Sequence, residues 1–131
     1  MGSRGAFVDV ASGNFNFKED GQEYYSLGTL SSDPNVKILA LIGEGSVSTP
    51  SFSHTPGRIY AVTQKGRLKY LTYYDDSHNK KVTVDLGHTH NKVRPHIHYG
   101  NSGHGKDDPA IPPTTEQLSL IRKIKKEYNL K

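Results

Sequence analysis

The chain has 131 residues, 33% hydrophobic and 23% charged, enough for one domain with a modest core and too short to divide into two. It has no cysteine, which excludes a disulfide framework, a thiolate zinc site and cysteine nucleophilic catalysis together. Net charge is +4 and unevenly spread: residues 1–60 carry four basic and six acidic groups, residues 61–131 thirteen and seven. That asymmetry favours a phosphate-rich partner for the C-terminal half, although basic runs also serve as solvated faces.

Residues 1–5 read as a disordered or tag-derived leader to a single domain spanning 1–131. Ala6–Val10, Tyr24–Leu30 and Val36–Ile42 are short apolar pieces among Gly, Asn and Ser, the pattern of brief strands and turns. Ser46–Gly57 contains Pro50 and Pro56, neither able to donate to a sheet ladder, and reads as an irregular loop carrying His54. Arg58–Thr63 and Arg67–Tyr74 are β-branched and aromatic runs separated by Gln64-Lys65-Gly66, a hairpin. The turn Asp75–Lys80 leads into Lys81–Leu86, where Val82, Val84 and Leu86 alternate with Lys81, Thr83 and Asp85 as in a half-buried strand.

Five of the seven histidines fall between His88 and His104. Beyond a turn at His88–Lys92, Val93–Tyr99 alternates again: Val93, Pro95, Ile97 and Tyr99 share one face, and Arg94, His96 and His98 the other. Pro95 marks this as an edge strand. Gly100–Pro113 is a loop, and the chain ends in a helix at Thr115–Asn129, with Thr114 as N-cap and Gln117 closing a capping box. Leu118, Ile121, Ile124 and Tyr128 form its apolar stripe. The predicted fold is α+β: a twisted antiparallel sheet of about five to seven short strands, built of hairpins, with the C-terminal helix packed on it.

Three readings of the histidines follow from residue type and spacing. In metal-independent cleavage of a phosphodiester, one imidazole takes a proton from a 2′-hydroxyl and another protonates the leaving oxygen, while a cation steadies the developing charge. His96 and His98 are the first candidates for acid and base, His88 and His90 the next, with Arg94 as the charge stabiliser. Lys92, Tyr99, Tyr73, Ser102 and His104 are the candidates for substrate binding. This reading needs no cofactor. In the second reading His88-x-His90 and His96-x-His98 together hold zinc or another divalent transition metal, at a spacing that matches no standard zinc signature. In the third they are polar residues of an edge strand and its turn with no chemical role, and the isolated His54 and His78 are likewise expected to be structural.

Other features are weaker signals. Asp107-Asp108 beside Lys106 reads as a solvated turn, and Gly43-x-Gly45 lacks a phosphate-loop context. Tyr70, Tyr73 and Tyr74, near Arg67 and Lys69, suit either base stacking or cross-strand packing. No apolar run reaches the roughly 18–20 residues that span a bilayer, and no signal-type segment follows the N-terminus.

Arg4-Gly5-Ala6-Phe7-Val8-Asp9-Val10, Asn14-Phe15, Ser53-His54-Thr55-Pro56-Gly57-Arg58-Ile59-Tyr60-Ala61, Val84-Asp85-Leu86-Gly87-His88-Thr89-His90 and Val93-Arg94-Pro95-His96-Ile97-His98 together resemble a domain of Gram-positive prophages. The likeness is to the C-terminal tail domains of phage minor head proteins, the head morphogenesis or Mu F-like group. Such tails include polymorphic-toxin-like modules, some of them RNases. The resemblance implies a phage origin, a small α+β fold with a polar sheet face and RNA, ahead of DNA, as partner. It further implies contact with phage head proteins and a cytoplasmic or virion-associated location. A non-catalytic head accessory domain, binding nucleic acid or protein, is the alternative within the same family.

Overall fold

The computed structural model describes residues 7–9, 14–19, 22–43, 48–86, 96–99 and 111–131. Among these residues eight strands form one sheet in chain order: β1 (Phe7–Asp9), β2 (Asn14–Glu19), β3 (Gln22–Leu30), β4 (Asp33–Leu41), β5 (Ile59–Gln64), β6 (Arg67–Tyr74), β7 (Lys80–Asp85) and β8 (His96–Tyr99). One helix among them, α1 (Thr115–Tyr128), follows. The fold is therefore α+β, as the patterning predicts, with more strands than the five to seven expected. β2 is the additional one, and its Asn14-Phe15-Asn16-Phe17 run has the period of two that strands require.

All neighbours pair antiparallel except β4 and β5, which run parallel from Val36↔Ile59 to Ala40↔Thr63. A parallel pair cannot be joined by a tight turn and needs a crossover of a dozen or more residues. The segment between Leu41 and Ile59, expected as an irregular loop, supplies it, so the expected antiparallel sheet carries one parallel junction. β5 and β6 do form the predicted hairpin. Lys65 and Gly66 sit at φ 52° and 76°, the two positive values that a two-residue turn matching strand twist demands.

The sheet has two unlike faces. On one, Leu30, Val36, Ile38, Ala61, Leu68, Leu71, Val84 and Ile97 pack with Ile121 and Ile124 of α1. The helix starts where the sequence places it: the Thr114 hydroxyl accepts from Gln117 N at 3.1 Å, and Gln117 Oε1 accepts from Thr114 N at 2.8 Å. Asn129 ends it in the left-handed conformation at φ 53°. Its far end is tied to the sheet, where Tyr128 Oη donates to Thr29 O at 2.7 Å. The Glu127 carboxylate accepts from Ser31 N and Oγ in the β3–β4 turn, and the Lys131 backbone pairs with Gly66 and Leu68, at 2.9 Å each way.

The opposite face is aromatic and hydroxylic. Tyr24, Leu39, Leu41, Tyr60, Val62 and Tyr74 cluster there, and the described part of the crossover, from Ser48 onward, lies over them. An irregular segment carries backbone groups that no ladder satisfies, and buried ones must find partners. The buried tyrosines provide them: Tyr24 Oη donates to Ser48 O at 2.8 Å, Tyr74 Oη donates to Pro50 O, and Tyr60 Oη accepts from His54 N at 3.0 Å. His54 is thus held by its backbone, and His78 bonds Ser53 O through Nδ1 at 2.8 Å. Both isolated histidines belong to this packing, as expected.

Candidate functional site

β8 is the last strand in the order and pairs only with β7 among the described strands, in agreement with its prediction as an edge. Because side chains alternate, Ile97 faces the core beneath α1 while His96 and His98 face the hydroxylic side together. In the antiparallel register Asp85 stands opposite His96 and Thr83 opposite His98. Val84 between them points to the helix, so Asp85 shares the face of the two imidazoles.

The result is a compact trio. His98 Nε2 lies 3.5 Å and His96 Nε2 3.9 Å from the same Asp85 Oδ2. The imidazole rings meet edge-on, centroids 4.9 Å apart and planes at 64°. His96 and Asp85 are buried, at 0% and 1% exposure, whereas His98 keeps 16% and is the member that solvent reaches. Both N–O separations exceed the 2.7–3.2 Å usual for N–H···O bonds.

The surroundings are polar. Tyr70 stands opposite Asp85 on β6, and its phenol is pushed up from the ordinary value of 10.0 by burial first and by the Asp85 charge second. Thr72, fully buried, donates to Thr83 Oγ1 at 3.2 Å and is 2.8 Å from Thr49 Oγ1. Thr49 Oγ1 is in turn 3.2 Å from Tyr74 Oη. A line of hydroxyls therefore runs from the covering loop across β6 and β7 to the residue opposite His98.

Of the residues nominated from sequence, the structure brings together His96 and His98. Tyr73 is on the other face, half-buried against the core under α1, and Tyr99 is an exposed residue of that same face, because each alternates with a neighbour on the trio's side. Neither reaches the trio. His88, His90, Lys92, Arg94, Ser102 and His104 lie outside the described residues. Asp85 was not nominated, although it had a signal: it closes the polar side of the Lys81–Thr83–Asp85 alternation, on the strand just before the histidines. A carboxylate at that position comes level with His96 once the two strands pair.

Among the described residues no helix is long and apolar enough to cross a membrane. No family model, no curated protein and no solved structure matches this chain.

Proposed function

We propose that this is a phage-derived, toxin-like domain that cleaves an RNA backbone at the Asp85–His96–His98 centre. The observation carrying this reading is the convergence of two imidazoles and a carboxylate on one sheet edge, with His98 open to solvent. In the reaction the 2′-oxygen attacks the adjacent phosphorus, its proton passes to a base at the centre, and the P–O5′ bond breaks. The departing 5′-oxygen takes a proton from water. His98 faces the substrate, while Asp85 and His96, both buried, stand behind it; His96 is too enclosed for the direct acid or base role expected of it.

The charge distribution supports a polyanionic substrate, since residues 61–131 carry thirteen basic against seven acidic groups and Lys65, Arg67 and Lys81 are exposed. The likeness to phage head-protein tails supports RNA within a host cytoplasm, or a virion, as the setting. The test is incubation of the purified chain with total RNA. Cleavage by the native protein, reduced about 100-fold or more in a folded His98→Ala variant, is the expected result. RNA left intact by the native protein, or cut equally well by the variant, removes this reading, and RNA bound but uncut points to the accessory-domain alternative.

A further inference from the structure

We infer that Asp85 Oδ2, His96 Nε2 and His98 Nε2 form a binding site for one divalent transition-metal ion of the zinc type. The inference deepens the proposed function by naming a cofactor for the same site, and it stands on ligand geometry, independent of whether RNA is cut.

Three observations carry it. The first is distance. Both nitrogens approach a single carboxylate oxygen, at 3.5 and 3.9 Å, and one ligand atom from each of the three residues lies within 4.8 Å of the other two. Zinc–nitrogen and zinc–oxygen bonds of about 2.0–2.2 Å put neighbouring ligands of a tetrahedron roughly 3.3–3.6 Å apart. The His98 gap already has that length, and the His96 gap needs to close by only a few tenths of an ångström. The same gaps are longer than ordinary N–H···O bonds and match the spacing of ligands around one ion.

The second is donor chemistry. Two imidazoles and one carboxylate, without thiolate, are the donor types of catalytic zinc and of other imidazole-favouring divalent ions, which keep a further position open. His98, with 16% exposure, marks where that position meets solvent. The third is burial. A carboxylate at 1% exposure beside an imidazole at 0% is shielded from water that would compete for an ion, and a dication balances the carboxylate charge while using the lone pairs of two neutral rings. The donors come from two paired strands and not from loops, which keeps their spacing.

This departs from the four-histidine metal set suggested by sequence: Asp85 joins His96 and His98, and the site needs neither His88 nor His90. An ion held there would supply Lewis acidity toward a phosphoryl oxygen and a bound water to serve as the base at the centre, with His96 and His98 as its ligands.

The test uses the full chain without a histidine tag, stripped with EDTA, dialysed and titrated with Co2+ and then Zn2+. One Co2+ per chain with the visible d–d absorption of a four-coordinate centre, displaced by Zn2+, is expected, and zinc raises the melting temperature through mass action. Asp85→Asn and His98→Gln each weaken binding by more than the roughly 10–100-fold typical of losing an outer-shell partner, while His54→Ala leaves it unchanged. Circular dichroism establishes folding of each variant, and His98→Gln, at the exposed member, serves if Asp85→Asn does not fold. No ion bound by the folded native chain, or binding equally tight in the folded ligand variants, overturns the inference. RNA assayed in the same samples separates the two ideas. Cleavage by a protein that takes up no ion on titration overturns the metal site and leaves the nuclease, whereas a bound ion with intact RNA leaves the metal site and overturns the nuclease.

Discussion

The two faces of the sheet differ in what covers them, and the cover explains their composition. Beneath α1 the sheet presents Leu30, Val36, Ile38, Ala61, Leu71, Val84 and Ile97, an aliphatic surface. The opposite face presents tyrosine, threonine, serine, aspartate and histidine beside its leucines and valine, and the crossover lies over its tyrosines. A helix satisfies its own backbone, so it asks of the sheet only apolar area and shape. A loop arrives with unsatisfied amides and carbonyls, so the surface below it must offer hydroxyls. Asp85, His96 and His98 lie on the face already furnished with polar partners, where buried polar groups are tolerable.

Ile124→Ala gives the largest expected effect, because Ile124 is fully buried at the centre of the aliphatic contact. A loss of about 2–5 kcal/mol is expected, read as a lower urea midpoint at unchanged slope. A loss under about 1 kcal/mol would mean that the helix contributes little to that face.

Thr72→Val probes the other face. The substitution conserves size but strips the hydroxyl that joins Thr49 to Thr83, and leaving their oxygens short of a partner costs about 1–3 kcal/mol. If the variant is as stable as the native chain, hydrogen bonding is not what holds the loop there. The double variant with Ile124→Ala should be additive to within about 0.5 kcal/mol, since the sites are on opposite faces and share no partner.

The smallest effect is one of pH. The Tyr73 phenol, under α1, is pushed up from 10.0 by burial and then by the charge of Glu116. The folded chain therefore keeps this proton at pH values where the unfolded chain has released it. Its contribution to stability is fully present below pH 10 and is lost as pH rises through the higher folded value. Tyr73→Phe should consequently flatten part of the alkaline decline in melting temperature. An unchanged slope above pH 10 would show that this phenol does not ionise differently on folding.

What could be read from the residues alone was whatever depends on near neighbours. The β5–β6 hairpin, the capping box at Thr114, the apolar stripe of α1 and the shared face of His96 and His98 are set by turn chemistry and by periods of 3.6 and 2, which act over a few residues. Even the missed strand β2 displayed its alternation. Pairings between distant segments were decided only in three dimensions. The parallel junction of β4 and β5, the seating of the crossover on three tyrosine hydroxyls and the register that sets Asp85 against His96 each depend on which strands meet and at what offset. A shift of one residue in that last register would carry the carboxylate away from its place opposite His96, and local periodicity is silent about the offset between two strands.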